Sequence, residues 1–483
     1  MAYQISTTND RSSLGIGESM NIFQMPAVDV GVSKVRYVDF QPKNHMSKTL
    51  GMEFVITNLG NQYIDLRRTY LKLKVRILQN NDVKLPKAMS GLNTNSYAPT
   101  DSGSGSDGTK PDPPVIPPIP EASKVGPVNN FMHSLFSQID VYFQNKLVSS
   151  SNDNYAYEAY FNTLFNHFVN SKGTHLMAQL FCKDVAPMDS GDINGTNVGL
   201  VTRAMYTRES RTLDLMGPLL LDIFTINKYI LNGVEIKLKF WPSNSRFHLM
   251  SDATSPDFHV ELVDACLSVC IVTPTREMLI SHQEVMQKEN YMAVYQYMKS
   301  DIKKYSVAGG LLQFRVDNVY LGNVPSRLIC GIVSEEGVSG SYTRNPFNFY
   351  HNHVRYVNVS VDNESIPTSA YQMKFDDENS PYGCNFVDAY LSLFGREREF
   401  DVQNSGPSIT RSDYAKGYTL FAYDLEPDVK NEDDGMVWPT FKRGNLRIEI
   451  HFEKKLTEPV CIILFATFPS MIKIDHSRAV YIA

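Results

Sequence analysis

The feature that most constrains the fold is an alternation of apolar and polar residues that recurs in separate parts of the chain. Three such runs lie at residues 71–77, 234–240 and 446–452; in the first, apolar residues such as Leu71 alternate with cations such as Lys72. Successive side chains of a β-strand point to opposite faces, so each run predicts a strand with one buried and one solvated face. This pattern is typical of antiparallel sheets, and we therefore expect an all-β fold. The more uniformly apolar segment 260–272 predicts a central strand.

Helical periodicity is scarce and appears in two similar settings. Residues 157–168 and 386–394 each carry an aromatic stripe, and each follows an alternating strand that runs into an Asn-containing turn. Both stripes begin with Ala-Tyr, at Ala159 and Ala389, and both end with Leu-Phe. The copies lie about 230 residues apart, which is too long for a solenoid repeat of ~20–50 residues. A tandem duplication of a whole domain explains the repeat, and a coincidence between two short amphipathic stretches is the alternative.

The two helices are expected to pack into the core of their own domains. The stripe of the first contains Phe165 and that of the second contains Phe394, at spacings that suit burial of one helical face. A sugar-binding platform would instead need the rings to be exposed. We expect a short amphipathic helix to close the open end of each sandwich.

Composition breaks suggest the domain limits. We expect an N-terminal arm at 1–34, a first domain at 35–275 and a second at 276–483, because the stretch 274–290 interrupts the alternation. A segment at about 86–124 is rich in Gly and Ser and then in Pro, so it is too polar and stiff to build a core. We expect it to be a surface insertion in the first domain.

Charge and hydropathy exclude several classes of protein. The formal net charge is -6, which argues against a protein that coats nucleic acid, and we expect no specific nucleic-acid partner. The longest apolar run, near 460–468, is too short to cross a bilayer, so we expect no transmembrane segment.

Motifs for catalysis or metal binding do not form a convincing set. His351 and His353 lack acidic or Cys ligands at metal spacing, and the acidic run 432–434 lies in a polar loop. Asp189 and Asp192 resemble a calcium loop only loosely. We therefore expect a protein that is not an enzyme, with no catalytic, cofactor-binding or metal residues and no cofactor.

One stretch carries a family resemblance. Residues 125–141, VGPVNNFMHSLFSQIDV, resemble the major capsid (hexon-like) proteins of Polinton/Maverick elements and adintovirus-like eukaryotic DNA viruses. The similarity covers roughly residues 35 to 480, and the insertion at about 86–124 departs from it. Further matching pieces lie at 63–66, 69–71, 157–160, 217–219, 231–234, 247–250 and 385–391.

The resemblance implies two tandem eight-stranded antiparallel jelly rolls, a double jelly-roll, with short helices and long surface loops. It implies a homotrimer of pseudo-hexagonal outline that tiles an icosahedral capsid in the virion. The implied partners are the chain itself, neighbouring capsomers and minor capsid or penton proteins. Synthesis in the host cytoplasm is implied, with viral assembly in the cytoplasm or nucleus. The family supplies no catalytic residue to transfer.

Two alternatives stay open. A penton or minor capsid protein has a similar structural role, but such proteins usually hold a single jelly roll. A carbohydrate-active β-sandwich belongs to a different class. It would need exposed Trp side chains beside a carboxylate pair, and the only candidates are Trp241 and Trp438.

Overall fold

The computed structural model describes most of the chain. The described residues are 31–44, 51–57, 60–79, 81–86, 120–167, 169–288, 291–375, 385–394, 407–425 and 441–482.

The alternating runs of the first half form two antiparallel sheets. One has the strand order β1-β10-β3-β7, and the other has the order β2-β8-β5-β6. We call this pair of sheets the first sandwich. Its strands, including the short pair β4 and β9, are β1 (Val32–Phe40), β2 (Met52–Ile56), β3 (Tyr63–Gln79), β4 (Gly126–Pro127), β5 (Phe136–Phe143), β6 (Lys146–Ser150), β7 (Leu213–Pro218), β8 (Ile236–Pro242), β9 (Leu249–Met250) and β10 (Phe258–Pro274).

The second half repeats this arrangement in what we call the second sandwich. Its sheets have the orders β11-β20-β14-β17, with β21 added at β20, and β12-β19-β15-β16. The strands, including the short pair β13 and β18, are β11 (Ala293–Val307), β12 (Gln313–Val316), β13 (Asn323–Val324), β14 (Arg327–Ser334), β15 (Val354–Val361), β16 (Glu364–Gln372), β17 (Leu420–Asp424), β18 (Lys442–Arg443), β19 (Leu446–Phe452), β20 (Val460–Ile474) and β21 (Val480–Ile482).

The two sandwiches have the same topology. When the eight main strands of each half are numbered along the chain, both halves give one sheet in the order 1-8-3-6 and a second in the order 2-7-4-5. This is the jelly-roll connection, in which two packed sheets exchange strands through Greek-key crossings. The predicted all-β, double jelly-roll fold is therefore confirmed.

Helices connect the strands or lie against them. The helix predicted at 157–168 is α2, and the one predicted at 386–394 is α8, which a turn of 3-10 helix at Ser392–Phe394 extends. Both lie between the fifth and sixth main strands of their own sandwich. The α-helices are α1 (Phe131–Ser134), α2 (Tyr155–Asn166), α3 (Val169–Lys172), α4 (Val198–Thr207), α5 (Ser245–His248), α6 (Arg276–Lys288), α7 (Glu335–Ser339), α8 (Val387–Leu391) and α9 (Arg411–Tyr414).

Burial follows the alternation of the sequence. On β3, Leu71 and Leu73 are buried in the first sandwich, whereas Lys74 faces solvent. The predicted central strand is β10, which pairs with β1 on one side and with β3 on the other. Each sandwich therefore has a core made from the inner faces of its two sheets.

The predicted domain limits fall near changes in structure. β1 begins at Val32, three residues inside the predicted arm, and residues 1–30 of that arm lie outside the described residues. The predicted junction at 275–276 lies where β10 ends and α6 begins. The division into an arm and two domains stays a prediction. Among the described residues, no helix is long and apolar enough to cross a membrane.

The ends of the insertion lie side by side. Residues 87–119 are outside the described residues, but Ser123 Oγ donates a hydrogen bond of 3.1 Å to the carbonyl of Pro86. Leu85, next to Pro86, is buried, and its N–H donates a hydrogen bond of 2.8 Å to Ser210 Oγ. These hydrogen bonds hold the two ends of the insertion in place, whatever the length of the loop between them.

Deletion of residues 100–110 is expected to leave the protein folded. Shortening a loop whose ends are already held together changes its closure entropy by less than about 1 kcal/mol. Circular dichroism and a melting temperature within a few degrees of the parent would bear this out. An unfolded product would show that the insertion has a structural role.

Candidate functional site

A buried interface joins the two sandwiches, and α2 lies within it. Tyr155 and Ala159 of this helix pack into the first sandwich. Tyr157, Tyr160 and Phe161 on the other side pack into the core that contains the second sandwich. The helix therefore joins the two halves. The expectation that it closes the end of its own sandwich was incomplete, because its main aromatic face contacts the other one.

Aromatic stacking holds this contact. The rings of Tyr160 and Phe347 are stacked, with centroids 4.3 Å apart and planes at 8°. Phe161 lies 5.5 Å from Phe349 and 5.4 Å from Phe465 on β20. Pairs of this kind contribute about 0.5–1.5 kcal/mol each beyond the burial of their area.

A glycine allows this close packing. Gly331 lies on β14, and a Cβ at this position would come within 2.5 Å of the Phe349 ring and 2.6 Å of the Leu420 side chain. The absence of a side chain thus lets the Phe349 ring lie directly on the sheet. The segment 347–350 precedes β15 and inserts Phe347 and Phe349 into the interface.

A buried ion pair lies beside the aromatic stack. Arg203 on α4 and Asp184 are both fully buried, and Arg203 Nη2 lies 2.7 Å from Asp184 Oδ1. The other guanidinium nitrogens donate to the carbonyls of Pro127 and Cys182. Each of the three guanidinium nitrogens thus donates a hydrogen bond, which is the condition under which a buried charge is tolerated.

The same acid reaches into the second sandwich. Asp184 Oδ2 accepts a hydrogen bond of 3.1 Å from Asn345 Nδ2, and its carbonyl accepts one of 2.9 Å from the Tyr418 hydroxyl. Lys183, the neighbouring residue, pairs with Asp413 at 2.6 Å. Polar contacts therefore fix the register of the interface that the aromatic rings create.

Asp189 has a related role. Its carboxylate accepts hydrogen bonds from the Asn345 N–H at 2.9 Å and from Asn348 Nδ2 at 2.9 Å, and Arg344 lies 3.4 Å away. These partners come from the second sandwich. A loop that resembled a calcium site thus contributes its first carboxylate to the contact between sandwiches. Among the described residues, no group of three or more His, Cys, Asp or Glu side chains is placed to hold a metal.

Two further buried carboxyl groups lie where α2 meets β11. The Glu158 carboxyl is hydrogen-bonded by the Asp222 backbone N–H and by the Ser300 side chain. Asp222 accepts hydrogen bonds from Ser149 Oγ at 2.6 Å and from the Ser300 N–H at 3.3 Å. Burial raises the pKa of Glu158 well above its ordinary value, and the negative charge of Asp222 raises it further. Burial also raises the pKa of Asp222.

The remaining sequence candidates lie elsewhere. His351 is buried, and its ring stacks on Phe375 at 4.5 Å. Trp241 is partly exposed on β8, where its indole N–H points to Asp140 at 3.5 Å. Trp438 and the acidic run 432–434 lie outside the described residues.

The second predicted stripe is only half buried. Ala389 and Leu393 of the α8 segment are buried in the second sandwich, but Phe394 is 41% exposed. The expectation that Phe394 packs in a core is therefore wrong. The spacing of apolar residues was correct for a helix but could not show whether another sandwich covers the stripe.

Truncation of the α2 stripe should destabilise the protein strongly. Phe161→Ala removes a ring that contacts both Phe349 and Phe465, and a buried Phe→Ala change costs about 3–5 kcal/mol. Phe441, which is 60% exposed, provides the matched control; Phe441→Ala should cost about 0.5 kcal/mol or less. Urea unfolding of both variants measures the difference. Equal midpoints would mean that the interface contributes little.

The buried carboxyl pair predicts a pH dependence. A carboxyl whose pKa is raised on folding gives its full stability below its unfolded pKa and loses it as the pH rises through the folded pKa. Glu158→Gln removes this loss, so its melting temperature relative to the parent should increase from pH 5 to pH 9. Glu284→Gln, on the exposed side of α6, is the control for removal of a surface carboxylate. A constant difference between Glu158→Gln and the parent would contradict the assignment.

Comparison of the sequence with known proteins finds a relative along most of the chain. No known protein-family profile matches the sequence. An uncharacterized protein of Caenorhabditis elegans, F54H12.2, is 25% identical over 467 residues, which cover 94% of this chain and 98% of that protein.

Solved structures match over nearly the whole length. A chain in the cryo-EM structure of the Sputnik virophage matches with a TM-score of 0.56 and 12% identity, covering 98% of this chain and 93% of that one. The Faustovirus major capsid protein matches with a TM-score of 0.55 and 10% identity, covering 95% and 92%. The chain therefore has the double jelly-roll fold of viral capsid structures, the Faustovirus major capsid protein among them.

Proposed function

We propose that this chain is the major capsid protein of a eukaryotic DNA virus. The observation that carries the proposal is the pair of sandwiches with identical topology, joined by an interface that is buried and specific. The fold likeness to the Faustovirus major capsid protein supports it, because that likeness spans both sandwiches. The chain then acts through packing, with no catalytic step and no cofactor.

The assembly unit in this proposal is a homotrimer. Three chains with two similar sandwiches each supply six similar units, which can form a ring of pseudo-hexagonal outline. Such trimers tile an icosahedral shell by contacts with neighbouring trimers, and minor capsid or penton proteins fill the remaining positions. The protein is then located in the virion, after synthesis in the host cytoplasm.

The alternatives receive less support. A penton or minor capsid protein of a single jelly roll does not explain the second complete sandwich. A carbohydrate-binding role would rest on Trp241 alone among the described residues, and that side chain lies beside a single carboxylate, Asp140.

The mass of the purified protein in solution tests the proposal. Sedimentation equilibrium should give three times the 54.6 kDa of the chain, and negative-stain images should show particles of hexagonal outline. A protein that stays monomeric at every concentration tested and forms no capsid particles would contradict the proposal.

A further inference from the structure

A cavity lies beside the contact between the two sandwiches. Its volume is about 350 Å³, which falls within the range of about 300–1,000 Å³ that is usual for small-molecule sites. The first half of the chain contributes the ends of α2 and α3 and the start of α4, and the second half contributes Pro407, Ser408 and Tyr418. The cavity is therefore built from both halves of the chain.

The interior of the cavity is mostly apolar. Leu164, Phe181 and Tyr418 line it and are buried, and the side chain of Met177 completes the apolar wall. Val198, which also lines the cavity, is 64% exposed and marks the side that opens to solvent. A hydrocarbon chain that enters from this side is removed from water, which favours its binding.

Two lysines lie at the edge of the apolar lining. Lys172 Nζ donates a hydrogen bond of 2.6 Å to the carbonyl of Leu164, an uncharged acceptor. Lys183 Nζ pairs with Asp413 at 2.6 Å and lies 5.4 Å from the centre of the Tyr418 ring. Among the described residues that line the cavity there is no Asp or Glu. The lining therefore presents positive charge beside an apolar interior.

The surroundings of Lys172 disfavour its charged form. Burial and the positive charge of Lys183 together lower the pKa of Lys172 to about 8. His167, which follows α2, has a pKa lowered by burial and by the positive charges of His175 and Lys172. An anion beside Lys172 offsets these positive charges and raises the pKa of Lys172. The ligand that suits this edge of the cavity therefore carries a negative charge.

We propose that the cavity binds a fatty-acid anion, with its hydrocarbon chain in the apolar interior and its carboxylate beside Lys172. An ammonium and a carboxylate form a charge-assisted hydrogen bond, which is stronger than one between neutral groups. Because residues of both halves line the cavity, the bound anion also links the halves and stabilises the folded chain. The proposal is independent of the proposed function, since it requires only the folded chain.

Titration calorimetry of the full chain with decanoate, below its micelle-forming concentration, tests the proposal. We expect one decanoate per chain and a melting temperature that rises with the decanoate concentration. Octanoate, which is two methylenes shorter, should bind roughly tenfold more weakly, because each buried methylene contributes to binding. 1-Decanol has the same chain without the charge and should also bind roughly tenfold more weakly. Equal affinities for decanoate and 1-decanol would contradict the role of Lys172.

Variants locate the bound anion. Val198→Asp places a carboxylate at the open side of the cavity, and its affinity for decanoate should fall roughly tenfold. Val198 is exposed and is the first residue of α4, where an acidic side chain is favourable, so the variant should fold as the parent does. Met205→Asp is the matched control, because Met205 is 50% exposed on the same helix but does not line the cavity. Lys172→Gln should bind decanoate no more tightly than 1-decanol.

Several results would overturn the proposal. A parent that does not bind decanoate has no such site. Val198→Asp and Met205→Asp with the same affinity for decanoate would place the anion elsewhere on the protein. Binding that appears only after deletion of residues 395–406 would show that a segment of the chain itself occupies the cavity. A parent that stays monomeric but binds decanoate would contradict the proposed function and support this proposal.

Discussion

The rest of the structure depends on the contact between α2 and the outer face of the β20 sheet. A sheet in a sandwich normally buries one face and solvates the other, which produces the alternation seen along β3 and β19. β20 departs from this pattern, because its residues from Val460 to Ala466 are buried on both faces. Such a strand requires a cover on its outer side, and α2 provides it.

Several polar side chains are buried because they lie beside this contact. Asp184 and Arg203 are fully buried because they lie beside the covered sheet, and they form a complete set of hydrogen bonds with residues of both sandwiches. Removal of one member of such a pair typically costs 3–5 kcal/mol, since the other charge is left buried without a partner. Glu158 is buried on α2 for the same reason. The aromatic rings supply the buried apolar area of the interface, and the polar groups fix the position of one sandwich against the other.

Sequence reasoning predicted the features that are local. The strands were predictable because burial of one face imposes a period of two, as at Leu71 to Ile77. The repeat was visible because α2 and α8 keep similar residues at similar spacing. The sequence did not predict the surroundings of side chains that contact the other half of the chain. Phe165 and Phe394 end similar helical patterns, but Phe165 packs against the second sandwich, where Arg327 lies over its ring, whereas Phe394 is exposed. Asp184 and Arg203 are 19 residues apart, with no pattern that links them. α6 was missed because only Met286 along its length is buried.

The central claim is that α2 of the first sandwich holds the second sandwich through its contact with the outer face of the β20 sheet. A double-mutant cycle on Phe161 and Phe465 tests this most directly, because the two rings meet at this contact, with centroids 5.4 Å apart. The account predicts that Phe161→Ala and Phe465→Ala together cost less than the sum of the two single changes, by about 0.5–1.5 kcal/mol. Costs that add fully would contradict the account.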